Sequence, residues 1–248
     1  RPFLQCPQEF HVICEPFLEI LIDTHNQRLK DVKNGIADPS KSADSSLLMP
    51  KVLSIFDEVW KPYYDESSNK QKRVFCQEHT VYFLKALSDI SFLSVPHFLG
   101  MTHTFLIRNP EKSVRSFYKA ANFIFKKNAE YYIPDFDKNL VGLKESKQVF
   151  DLLKGLNKQP IIVDADDMIN DSKGTLKKYC ELIEEEFKEE MIHWKAETVN
   201  EWSGNGTFIS KLMVHNAENS TGFNEFTNKD DPEIEYPQIV YDSIAENK

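Results

Sequence analysis

No run of apolar residues in this 248-residue sequence approaches the ~20 needed to cross a bilayer as a helix. Cysteine is sparse and unpatterned. Cys6, Cys14, Cys76 and Cys180 are widely scattered, with no C-x-x-C pair and no Cys/His spacing of a zinc site. That excludes a disulfide-stapled miniprotein. The apolar stretch around each cysteine predicts free, buried thiols and a reducing, cytoplasmic compartment. Two Asn-x-Ser/Thr triplets, at Asn205 and Asn219, point instead to the secretory route, but such triplets arise often by chance. Positive charge is short as well. Thirty Lys and Arg against thirty-nine Asp and Glu give a formal charge of −9, a poor start for gripping a phosphate polymer. Neither nucleic acid nor a membrane is an expected partner, whereas a small anion held by a few focused cations stays compatible.

What is present is an ordinary globular composition, 41% hydrophobic and 28% charged, with enough apolar material for a core. No repeat and no change of composition divides the chain, so residues 1–248 read as a single domain. The sequence opens on Arg1 rather than methionine, without a signal pattern, which predicts a piece of a longer or processed chain.

Four short apolar runs, at 11–14, 73–76, 104–107 and 160–164, read as strands. Helical spacing is expected at 17–23, 50–64, 79–87, from 110 through 125, at 143–156, and from an Asp171 or Ser172 cap to about 186. Residues 33–49 read as a long exposed loop, and the last sixty as irregular, with helical pieces near 207–214 and 237–246. Continuous apolar strands alternating with helices predict an α/β fold, a parallel β-sheet flanked by helices on both faces. Such sheets place ligand sites beyond the carboxyl ends of their strands. The residues to interrogate are therefore Glu15, the triplet Gln77-Glu78-His79, Arg108-Asn109-Pro110, and Asp164 to Asp167.

Arg108 leaves a buried strand, Pro110 suits the first turn of the next helix, and Ser116 lies about two helical turns beyond the arginine. A guanidinium fork and a hydroxyl so placed can reach one phosphate, the first supplying charge and the second a hydrogen bond. Lys112 and Arg115 are spare cations nearby. The bland alternative pairs Arg108 with a strand-end carboxylate and leaves Ser116 as surface.

Arg-Asn-Pro with a serine eight positions after the arginine resembles the 3′-phosphate-binding motif of sulfotransferases. These are P-loop-type enzymes that use 3′-phosphoadenosine 5′-phosphosulfate. The stretch from Ile161 through Asp164 to Gly174-Thr175-Leu176 resembles that family's strand–acidic loop–helix unit. The ending, with His193-Trp194, Trp202, His215 and 220–223, is similar to a sulfotransferase-like subgroup common in fungi and microbes. The likeness spans most of the chain. It implies a three-layer P-loop sandwich and transfer of a sulfuryl group to a hydroxyl or amine of a small-molecule acceptor. Arg108 and Ser116 would bind the co-substrate, and His79 or Glu15 would act as base. His79 occupies the place of the histidine in the family's Lys-Thr-His, and Glu15 that of a strand-end glutamate in other branches.

Two departures accompany the likeness. Gln77 stands where the family carries lysine, and the Gly/Ser-rich loop that cradles the 5′-phosphosulfate is missing from these residues. Residues 1–5 resemble the end of the helix that follows that loop, so loop and first strand are expected upstream of Arg1. The rival readings are a small-molecule kinase using ATP and magnesium, and a non-catalytic binding protein of the same fold. Asp164, Asp166 and Asp167 are expected to cap loops and helices, and no metal is assigned. The glutamates at 184–186 and 189–190 read as a solvated helix end.

Overall fold

The structure, a computed structural model, describes residues 1–18, 49–61, 63–86, 96–127, 141–199, 217–223 and 235–247, with isolated positions between them. Most of the expected helix at 17–23, positions 37–48 of the loop expected at 33–49, the helical piece at 207–214, Trp202, Asn205 and His215 lie outside the described residues, while residues 33–36 are described and Ile36 is exposed. All four predicted strands form, and they pair in parallel, two by two. β1 (Phe10–Cys14) lies along the second half of the strand here called β3 (Lys70–Gln77), with Cys14 opposite Gln77. β4 (Thr104–Ile107) lies along β5 (Ile161–Asp164), with Ile107 opposite Asp164.

The single all-parallel sheet is not what the described residues build. They form a mixed α/β structure with two short sheets, and the first is mixed because β2 (Tyr63–Asp65) runs antiparallel to Lys70–Lys72. The helix expected over 50–64 stops early, as α1 (Met49–Trp60). Pro62 disfavours helical geometry at Lys61, and Tyr63 and Tyr64 prefer a strand. Asp65 then turns the chain by accepting the Ser67 N–H at 3.0 Å, and Asn69 adopts a φ of 52° that asparagine tolerates well.

The other expected helices fall near their positions, as α2 (Thr80–Ala86), α3 (Pro110–Lys127), α4 (Leu143–Gly155), α6 (Ser172–Leu182) and α7 (Gln238–Glu246), while α5 (Ala165–Asn170) forms where a loop was expected. Asp171 caps α6 through the Gly174 N–H, 2.9 Å away. That helix ends four residues sooner than its pattern predicts. Glu184 takes a φ of 59°, and the Glu185 N–H folds back onto the Cys180 carbonyl at 2.8 Å, closing the last turn. All four cysteines are free thiols, Cys6 and Cys180 buried.

Register decides which core each strand serves. Val12 and Phe75, opposite one another, join Ile161 and Val163 against a cluster of Phe3, Phe10, Leu176, Tyr179 and Met191. Phe3, in the 3-10 turn Pro2–Gln5, stacks on Phe75 with ring centroids 4.3 Å apart. The alternate residue Phe105 turns the other way, into a cluster of Val52, Phe56, Leu93, Val149 and Leu153. The β4–β5 pair thus has a core on each face. Leu153 is completely buried, so Leu153→Ala is expected to cost about 2–5 kcal/mol in chemical denaturation, by lost burial plus the cavity left behind. A loss under 1 kcal/mol would mean that this side chain is not in the core.

Candidate functional site

The parallel register of β1 and β3 puts their carboxyl ends side by side, and the two candidate bases meet there. Glu15 Oε1 lies 3.3 Å from His79 Nε2. The Glu15 N–H donates to the Gln77 carbonyl at 2.7 Å, and the residue takes a φ of 50° as the chain leaves the strand. For glutamate that left-handed backbone is uncommon, and such outliers concentrate at functional sites. Gln77, standing where lysine was expected, hydrogen-bonds the Glu15 carboxylate through its side chain.

Glu78 is the residue that sequence reasoning passed over, although it sits inside the triplet quoted for His79. Its carboxylate accepts the N–H of Phe17 at 2.8 Å and that of His79 at 2.6 Å. One side chain therefore ties together the turns that follow β1 and β3. Tyr82 sets its ring edge-on to His79, with centroids 5.3 Å apart, a contact that follows from three-residue spacing on the start of a helix.

These groups shift one another. The hydrogen bond that His79 donates to Glu15 raises the imidazole above its ordinary value against the opposing effect of burial. Burial alone would raise Glu15, but the hydrogen bond and charge of His79, with help from Gln77, carry it below the usual range. Burial pushes Glu78 up to about 7, its backbone donors offsetting only part of that, and pushes Tyr82 up to about 12. The His79 side chain is 56% exposed and that of Glu15 31%. The pair is open to solvent, and its worth lies in setting a protonation state rather than in stability.

The raised Glu78 has a signed consequence for stability. The folded state keeps a proton that the unfolded chain releases near 4.5, so the Glu78 contribution is complete below about pH 4.5. It is lost as pH rises through about 7. Urea unfolding across that window is expected to show a decline that Glu78→Gln removes, of roughly 2 kcal/mol once its partial exposure is discounted. An unchanged slope in the variant would place Glu78 in solvent.

At the end of β4, Asn109 caps α3 by accepting the Glu111 N–H at 2.9 Å, and Pro110 occupies the first turn. The spare cations proposed from sequence are engaged. Lys112 pairs with Asp166 at 2.8 Å, and Arg115 pairs with Glu111 at 2.7 Å while lying over the Tyr236 ring. Arg108 is exposed and, among the described residues, makes no ion pair or hydrogen bond; Ser116 is exposed on α3. No described carboxylate neutralises Arg108 ahead of the α3 N-terminus.

The start of α4 connects the two strand ends. Ser146 Oγ donates to Thr80 Oγ1 at 3.1 Å, next to His79. Gly142, at a φ of 77°, has Val81 Cβ 3.3 Å from where a side chain would begin, so both backbone and space require glycine. Val141 and Leu143 pack on the cluster that holds Val114 of α3. The Glu15–His79 pair and Arg108 are therefore each followed by a helix held against the same turn.

The acidic residues at the end of β5 divide: Asp166 pairs with Lys112, and Asp164 alone among the three is a helix cap. Asp164 caps α5 by accepting the Asp166 N–H at 2.8 Å. Trp194 is packing: it is buried, and its indole N–H donates to Ser220 Oγ at 2.9 Å. Among the described residues no group of three or more His, Cys, Asp or Glu is arranged to hold a metal ion, and no helix is long and apolar enough to cross a membrane. No protein-family model, no curated protein and no solved structure matches the chain.

Proposed function

We propose that this protein is a cytoplasmic group-transfer enzyme of the sulfotransferase kind, moving a sulfuryl group from 3′-phosphoadenosine 5′-phosphosulfate to a hydroxyl or amine of a small acceptor. The fold that goes with this reading is the P-loop-type sandwich, of which β1, β3, β4 and β5 supply parallel strands. The observation that carries it is the convergence of Glu15 and His79, two strand-end residues that the resemblance offers as alternative bases, into one pair at 3.3 Å.

The chemistry follows from that pair. With His79 Nε2–H donating to Glu15, the lone pair of the imidazole lies on Nδ1. As the acceptor oxygen or nitrogen attacks sulfur, Nδ1 takes its proton, and the sulfur–oxygen bond to the 5′-phosphate breaks. Glu15 orients the ring and stabilises the imidazolium that forms, the role of a buried carboxylate in other base–carboxylate pairs. Glu78 holds the two turns that carry the pair. Arg108, left without a carboxylate partner among the described residues, would meet the 3′-phosphate at the start of α3, where the helix end also favours an anion. Ser116 would add a hydrogen bond.

Calorimetric titration of the full-length protein with 3′,5′-adenosine bisphosphate, the product nucleotide, tests the proposal. Binding in the micromolar range, tighter than that of ATP with magnesium, is expected. A preference for ATP would favour the kinase reading, and binding of neither would leave a non-catalytic protein.

A further inference from the structure

Among the described residues no strand pairs with the outer edge of β5, and a groove of about 380 Å3 runs along it between the strand and α6. The Ile161 N–H donates inward to the His103 carbonyl of the neighbouring chain segment at 2.9 Å. Peptide groups alternate along a strand, so the N–H and C=O of Ile162 point outward into the groove. Among the described residues neither has a backbone partner. The apolar side chains beside this edge are uncovered, with Ile162 51% and Leu182 53% exposed. An unpaired edge with uncovered apolar flanks is a template for another strand, which native proteins usually blunt with charge, proline or a covering element. The ionised groups that line the groove are three carboxylates, Asp164, Asp167 and Asp171, against the single ammonium of Lys178. Asp164 and Asp171 spend one oxygen each on a helix cap.

We propose that this groove is a docking site for an extended peptide segment of a partner protein, apolar at its centre and carrying lysine or arginine at its ends, which adds to the sheet as a third strand beside β5. Main-chain bonds to Ile162 supply affinity, Leu182 on the α6 face and the Ile162 side chain on the opposite face flank the added strand, and the carboxylates select a cation at the rim. The charge of the groove sets the sign of the partner. A second copy of this chain, which carries a formal −9, would bring like charge to the same rim. The site shares no residue with the Glu15–His79 pair and stands whether or not the chain transfers sulfuryl groups.

The experiment is fluorescence anisotropy of the full protein with a labelled Lys-Thr-Val-Ile-Val-Thr-Lys peptide. Saturable binding is expected, weakened at least about tenfold when alternate amides of the peptide are N-methylated, since each lost main-chain bond weakens the added strand. Ile162→Pro deletes one outward N–H and no bond to β4, a place where an edge strand accepts proline, and is expected to weaken binding similarly. Asp167→Lys is expected to weaken it several-fold, and the more so at low salt. Equal binding of the methylated and plain peptides by the wild-type protein would overturn the proposal, whatever the proline variant does to folding. So would no binding at millimolar peptide, or sedimentation showing that a second copy of the chain occupies the edge.

Discussion

Replacing His79 with alanine is expected to lower the rate of sulfuryl transfer by about 10²–10⁴, the range that a positioned general base supplies. The substitution removes Nδ1, where the acceptor proton goes, and leaves the strands beneath it alone, because the Glu78 carboxylate is held by backbone N–H groups and not by the imidazole ring. Glu15→Gln is expected to cost less, on the order of tenfold, and to change the pH profile in a definite direction. His79 is raised chiefly by its hydrogen bond to Glu15. As a base it works once deprotonated, so the rate should climb as pH passes above its ordinary value of about 6.5. Without the carboxylate charge, that rise should move to lower pH. A profile unchanged in Glu15→Gln would mean that the 3.3 Å pair does not govern the titration, and a His79→Ala enzyme of normal rate would remove the proposed base altogether.

Arg108→Ala is expected to weaken 3′,5′-adenosine bisphosphate by tenfold or more. A charge-assisted hydrogen bond contributes roughly 1.5–3 kcal/mol, and each 1.4 kcal/mol is a factor of ten in affinity. Arg108→Lys is expected to recover only part of the loss, because an ammonium supplies the charge without the planar fork. Lys112→Ala should change little, since that cation is already held by Asp166 at 2.8 Å. This contrast between neighbours distinguishes a phosphate contact from a general loss of positive charge. Equal effects at Arg108 and Lys112 would point to unspecific attraction.

The strands were legible in the sequence because each is a short apolar run bounded by turn residues, and 104–107 was found to the residue. Pairing was not. Nothing in the apolar pattern of Thr104–Ile107 states which strand it joins, and the division into two sheets depends on long-range contacts that no local signal encodes. The Tyr63–Asp65 strand escaped because the helical spacing of Val52, Ile55, Phe56 and Val59 was carried past Pro62, where backbone sterics end it.

The same division holds at the site. Glu15 and His79 were visible separately, as polar residues just past apolar strands, while their meeting requires the register Cys14 opposite Gln77. Glu78 was hidden by its neighbour: its role is to receive two backbone N–H groups, and backbone donors leave no trace in residue identity. Its spacing from Phe17, sixty-one positions away, carries no recognisable motif. Arg108 was visible as a cation just past an apolar strand, its nucleotide role came from resemblance, and what structure adds is that its neighbours Lys112 and Arg115 are occupied elsewhere.

The most direct measurement is a thermodynamic cycle by calorimetry on the full-length protein, with wild type and Arg108→Ala each titrated with 3′,5′-adenosine bisphosphate and with 5′-AMP. The two nucleotides differ only in the 3′-phosphate. Wild type is expected to favour the bisphosphate at least about tenfold and Arg108→Ala to lose most of this preference, a coupling on the order of 1.4 kcal/mol or more. Equal affinity of wild type for both nucleotides, or a preference that survives in the variant, would contradict this expectation.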